Sequence, residues 1–131
     1  MNIRLSIVSL LIVGQLLLPG AHAETPSVAR VEIDYLLDFV GKSGCEFYRN
    51  GKWYTAEKAQ AHLRSKYENV VARWSIETAE DFIAKVATKS SMSGRVYEAR
   101  CGGAAAIPSS RWLTAALLQH RADGAAAAPH S

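Results

Sequence analysis

Asn50 and Gly51 constrain this chain more than any other pair of neighbours. The dipeptide favours the centre of a two-residue type I′ turn, because both positions there need positive φ. It joins Glu46-Phe-Tyr-Arg49 to Lys52-Trp-Tyr-Thr55, and so short a turn leaves the two strands one register. Tyr48 then faces Trp53, Phe47 faces Tyr54, and Arg49 faces Lys52. The last pair carries a mild like-charge cost at an exposed tip. Because side chains alternate, Cys45, Phe47 and Tyr54 share one face, and Tyr48 and Trp53 share the other.

Cys45 stands at the entrance to this hairpin, and the only other cysteine is Cys101. Residues 95–101 (RVYEARC) alternate and read as a third strand, with Tyr97, Ala99 and Cys101 on one face. A Cys45–Cys101 bridge would join that face to the hairpin in one small antiparallel sheet. The pairing depends on an oxidising compartment, and the N-terminus points to one. Arg4 precedes an apolar run at residues 5–18, then Pro19-Gly20, then Ala21-His22-Ala23 with small residues where a cleavage site needs them. This is the pattern of a secretory signal peptide cut before Glu24. The run falls short of the roughly 20 residues a membrane span requires. An even cysteine count in an exported chain argues for a structural disulfide. A reactive pair favours close spacing such as C-x-x-C, which is absent.

The expected organisation is therefore a signal peptide over residues 1–23, one domain over 24–123, and a disordered tail over 124–131 (GAAAAPHS). Periplasmic localisation follows from the leader. In the domain, Ile33, Leu36, Leu37 and Val40 mark a helix over residues 27–42, capped by Ser27, with Arg30 and Asp34 as an i,i+4 pair. Thr55 caps a second helix over 56–74, with Ala59, Leu63, Tyr67, Val70 and Trp74 on its buried stripe and Arg64–Glu68 as a second i,i+4 pair. Thr78 caps a third over 79–89. Its early Glu80 and Asp81 and late Lys85 and Lys89 complement the helix dipole. Residues 102–108 read as a linker, and Ser109 or Ser110 caps a last helix over 111–121. The order α-β-β-α-α-β-α describes an α+β fold, with a small antiparallel sheet of hairpin plus third strand packed against about four helices.

Charge narrows the partners. The mature segment keeps 14 basic and all 12 acidic residues, a net charge near +2 with no block of like charge. That balance argues against nucleic acid as a partner. His62, His120 and His130 stand apart from one another, so no metal-ligand spacing appears, and no cofactor motif is present. No later segment is apolar enough for membrane insertion after signal cleavage.

Read in order, Gly44-Cys-Glu-Phe-Tyr-Arg-Asn-Gly-Lys-Trp-Tyr54, His62-Leu-x-x-Lys-Tyr67, Ala79-Glu-Asp-Phe-Ile83 and Ser90-Ser-Met-Ser-Gly-Arg-Val-Tyr97, between the two cysteines, form an ordered set. This set resembles the YfeK-like family of small exported proteobacterial proteins, a domain-of-unknown-function family. The resemblance spans residues 30–118 and implies an exported, bridged α+β domain. It brings no activity, substrate or catalytic residue. The Ala-rich stretches at 104–106 and 125–128 depart from it.

Three candidate sites remain. Tyr48 and Trp53, with Arg49 and Lys52 at the tip, would make an aromatic platform for cell-wall glycan, peptide or protein. The alternative buries that face beneath the last helix. The loop holding Ser91 and Ser93 before Gly94 could present backbone N–H groups to an anion, or be a helix C-cap with local hydrogen bonds. Ser91 or Ser93, His62 and Asp81 supply the residue types of a nucleophilic triad, but no G-x-S-x-G elbow is present, and geometry defines a triad. The reading that follows is an exported, non-catalytic binding domain of the cell envelope, its partner an envelope protein or peptidoglycan. The alternative is a small periplasmic hydrolase or an inhibitor of a cell-wall hydrolase. Ser93-Gly94-x-x-Tyr97 is similar to a loop of periplasmic lysozyme inhibitors, which are all-β barrels.

Overall fold

Among the described residues, 24–129 of a computed structural model, helices and strands follow one another in the order α-β-β-α-α-β-β-α. The expected signal peptide lies outside the described residues. The first helix, α1 (Ser27–Lys42), buries Ala29, Ile33, Leu36, Leu37 and Val40 along one stripe, as the periodicity requires. Pro26 stands at its N-cap and Ser27 makes no capping bond; Ser27 is instead the first helical residue. At the other end Ser43 donates its hydroxyl to the Val40 carbonyl, which closes the last turn.

The hairpin β1 (Glu46–Arg49) and β2 (Lys52–Thr55) turns at Asn50 (φ 49°) and Gly51 (φ 87°), with the register expected from the turn. The third strand, β3 (Glu98–Arg100), pairs antiparallel with β1, Phe47 opposite Ala99. One residue beyond the Glu46–Arg100 pair, Cys45 and Cys101 are joined in a disulfide with Cα atoms 4.4 Å apart.

A fourth strand was not legible in the sequence. Residues 107–108, read as linker, form β4 (Ile107–Pro108), and the sheet order is β2-β1-β3-β4. Gly102 and Gly103 both have positive φ, and the Ala104 N–H donates to the Cys101 carbonyl, so the chain reverses there in a tight turn. Proline lacks the N–H a central strand needs, but it is tolerated at this edge.

Helix α2 (Ala56–Val71) is capped by Thr55, whose hydroxyl accepts from the Lys58 N–H. It ends three residues before the expected Trp74. The consecutive β-branched Val70 and Val71 weaken its last turn, and the Arg73 and Trp74 N–H groups both return to the Val70 carbonyl. Trp74 consequently leaves the buried stripe and is 67% exposed. Helix α3 (Ala79–Val86) is capped by Thr78 and stops before the expected Lys89. The Thr88 hydroxyl donates back to the Ile83 carbonyl, and Lys89 pairs with Val96 in a β-bridge. Helix α4 (Ser109–Ala127) has Pro108 at its N-cap, so neither Ser109 nor Ser110 caps it. It runs six residues past the expected Arg121, into the segment read as tail. Alanine is the strongest helix former, and the extension needs no packing partner.

The two i,i+4 pairs read from sequence do not form. Arg64 reaches Asp34 across the α1–α2 interface at 3.9 Å instead. Helix α1 packs against each of the other three helices. The core gathers Ile33, Leu36 and Leu37 with Leu63, Phe82, Leu113 and Leu117, and Phe47 and Ala99 close it from the sheet. At its edge Trp112 meets Phe39 and, edge-on, Phe47. On the far side Arg121 of α4 binds both Glu32 of α1 and Glu80 of α3.

Candidate functional site

The sheet has one face toward the helices and one away from them. Phe47 and Ala99 are buried on the helix side, and Trp112 shows that α4 packs there too. The last helix therefore does not cover the face that carries Tyr48 and Trp53. By register, that outer face holds Trp53 and Thr55 of β2, Glu46 and Tyr48 of β1, and Glu98 and Arg100 of β3. None of these six is buried. The Tyr48 and Trp53 rings lie 5.4 Å apart and tilted. The Arg100 guanidinium sits 3.8 Å above the Trp53 ring and also donates to Glu46 at 3.2 Å. A cation held by both an aromatic face and a carboxylate fixes the indole plane.

The sequence reading puts Arg49 at the hairpin tip beside the platform and does not name Arg100; the structure turns Arg49 to the helix side and sets Arg100 on the outer face. Alternation decides both. Arg49 is two residues from Phe47, so it shares the helix-facing side and lies 4.6 Å over Tyr54. Arg100 is two residues from Glu98 and shares the outer face. Lys52, opposite Arg49, stays exposed at the tip.

Turned inward, Arg49 reaches a second cluster. Its guanidinium donates to His62 Nδ1 on α2. An arginine can only donate, so Nδ1 accepts, and the proton of the neutral ring sits on Nε2. From there it reaches the Tyr97 hydroxyl, 3.2 Å away. Lys66, one turn further along α2, donates to the same hydroxyl at 3.3 Å and to the Lys89 carbonyl at 2.6 Å. Burial, then the charges of Arg49 and Lys66, push the His62 pKa down to about 4. Burial alone lowers that of Lys66, and burial raises that of Tyr97 against the opposing pull of Arg49. At neutral pH the imidazole is uncharged, which lets it accept from Arg49 instead of repelling it.

These groups border a groove of about 550 Å³ between α2 and the loop before β3. His62, Lys66 and Asn69 enter it from α2 at 4-3 spacing, one helical face beside the core stripe, and Arg73 enters from the turn that follows the helix. Ser90, Ser91 and Met92 enter from the loop, and Trp74 forms a lip. Inward of His62 and Tyr97 lies a separate apolar cavity of about 30 Å³, about the space of one water. The 4-3 spacing of His62, Lys66 and Asn69 is the available signal for this cluster. The adjacent apolar stripe accounts for the same helix and masks that signal.

The loop serines have mostly local roles. The Ser90 hydroxyl accepts from the Met92 and Ser93 N–H groups, and Ser93 donates its hydroxyl to Asn50 Oδ1 at 2.5 Å, tying the loop to the hairpin tip. Ser91 is exposed at the groove. The triad types do not assemble: Asp81 accepts from the Glu77 N–H at the start of α3, Ser93 is held by Asn50, and His62 is engaged by Arg49 and Tyr97. Among the described residues no three His, Cys, Asp or Glu side chains come together to hold a metal ion, and no helix is long and apolar enough to cross a membrane.

No solved structure matches the chain. A relative from Salmonella typhimurium, named "Uncharacterized protein YfeK", is 38% identical over 87 residues, which cover 66% of this chain and 71% of that protein. The family model described as a family of unknown function (DUF5329) matches residues 27–121, from the first turn of α1 to Arg121. With nearly the whole described domain inside that match, the chain belongs to the DUF5329 family.

Proposed function

We propose that the protein is a non-catalytic binding domain of the cell envelope, exported through a cleaved signal peptide, that engages its partner through the outer face of the sheet. One observation carries this reading: Tyr48 and Trp53 form an aromatic pair on a sheet face that none of the described helices covers, with the Trp53 plane fixed by Arg100. Partly exposed aromatic rings, one of them held in place, suit contact with sugar rings or peptide, because less side-chain freedom is left to lose on binding. Glu46, Glu98 and Arg100 around them supply both hydrogen-bond acceptors and donors. Peptidoglycan and an envelope protein are the two partners this surface suits.

The test has two arms. The mature protein is sedimented with purified peptidoglycan, and envelope extracts are passed over immobilised protein. Retention in one arm, lost in both Tyr48→Ala and Trp53→Ala while their thermal unfolding stays cooperative, is the expected result. Retention unchanged by either substitution, or none in either arm, overturns the reading. Export is tested separately by the mass of the native protein, which should begin at Glu24.

A further inference from the structure

We propose that the groove between α2 and the loop before β3 binds an oxyanion, a carboxylate or phosphate group carried on a small polar ligand. The inference stands apart from the outer sheet face and does not depend on it.

The groove's lining includes three cations, Arg49, Lys66 and Arg73, and no carboxylate. Among the described residues none of the three has an acidic partner within ion-pairing distance, although four other ion pairs form elsewhere in the domain. Arg49 is satisfied by a neutral imidazole and an aromatic ring, and Lys66 by a carbonyl and a phenol. Arg49 and Lys66 are partly buried, and such charges are normally compensated; here, with the exposed Arg73, they line open space. A cleft lined by one sign of charge concentrates the opposite ion.

Tyr97 adds a second observation. The residue is almost fully buried, at 6% exposure. The His62 Nε2–H and the Lys66 ammonium both donate to its oxygen, so its lone pairs are used. Its own hydrogen has no acceptor among the described residues. The phenol therefore offers a donor beside the two cations, and burial favours its protonated form. An acceptor-only group with more than one oxygen satisfies all three, and charge-assisted hydrogen bonds of this kind are the strong ones.

The rest of the lining limits the ligand's body. Asn50, Ser65, Asn69 and Ser91 suit hydroxyl or amide groups, and Trp74 offers a ring face at the rim. A groove of about 550 Å³ has the size of an ordinary small-molecule site.

The mature, bridged protein is titrated by backbone NMR with glucose 6-phosphate, glucuronate and, as the uncharged control, glucose, at constant ionic strength. Saturable shifts at Lys66, Arg73 and Ser91 with one or both anions, and none with glucose, are expected. The stronger arm identifies phosphate or carboxylate. Lys66→Met should weaken binding roughly ten- to a hundredfold, the range for one charged hydrogen bond. Arg73→Gln, at an exposed residue whose side chain makes no internal hydrogen bond, should weaken it without altering the fold. Lys52→Gln, a loss of equal charge outside the groove, should leave it unchanged. Equal shifts with glucose, no saturable shift with either anion, or equal weakening by Lys52→Gln and Arg73→Gln would overturn the proposal.

Discussion

Replacing both Cys45 and Cys101 with alanine tests the physical claim on which the sheet rests. The bridge closes a loop between residues 56 apart in sequence. The chain-entropy relation then gives a stabilisation of about 4 kcal/mol, arising in the unfolded chain. The folded state should change little. The cysteines extend the Glu46–Arg100 register by one step, and their Cα separation of 4.4 Å matches the roughly 4.5 Å of a narrow antiparallel pair. The ladder therefore presents the two thiols to each other without displacing either strand. The assay is urea unfolding, followed by circular dichroism, of the oxidised protein, the same protein with reductant, and the double-alanine variant. The native spectra should coincide. With m of about 1–3 kcal/mol per M, the midpoint should fall by about 1.5–4 M, equally for reduction and substitution. A loss below about 1 kcal/mol would show that the loop between the strands is already restricted without the bridge, and the entropic reasoning would fail. So would a changed native spectrum in the alanine variant, which would mean that the bridge shapes the fold and does not merely lock it.

Three further outcomes follow from individual sites. Gly51→Ala places a Cβ at φ 87° and should cost about 1–2 kcal/mol in urea unfolding, while Gly124→Ala, with open space around it, should not destabilise. Arg121 lowers the pKa of both Glu32 and Glu80 through hydrogen bonds, so the support of these carboxylates is complete above their unfolded value and is lost as pH falls through the lowered folded values. Arg121→Ala should cost about 1 kcal/mol at neutral pH and flatten the stability profile below about pH 4.5; a profile parallel to that of the parent would contradict the linkage. His62, pushed down to about 4 from 6.5, excludes a proton that the unfolded chain takes up, so it reduces stability as pH falls from 6.5 towards 4. The imidazole resonance should show its inflection near the lower value, and one near 6.5 would refute the Arg49–His62–Tyr97 arrangement.

Helix existence and the hairpin were legible from nearest neighbours, whereas helix ends were not. Trp74 lies on the apolar period of α2, yet Val70 and Val71 end the helix first, and the indole becomes the rim of a groove. Residues 107–108 carry no strand pattern, and they pair because the turn at Gly102-Gly103 returns them to β3. Arg49 reads as a tip charge from its place beside the turn, whereas alternation puts it on the Phe47 side, over Tyr54.

By itself the sequence determined the positive-φ turn, the hairpin register it enforces, the apolar stripes, and a pair of cysteines suited to bridging. Each depends on residues within a few positions of one another, or on a single possible pairing. Tertiary structure alone decided that the aromatic face is left uncovered, and that Arg49, Lys66, Arg73 and Tyr97 share a groove without a counter-charge. Those residues come from β1, α2, the turn after α2 and the approach to β3, so their meeting depends on where whole elements stop and which face they bury. Pairwise distance across a packed core is not a local property of the chain, and no periodicity encodes it.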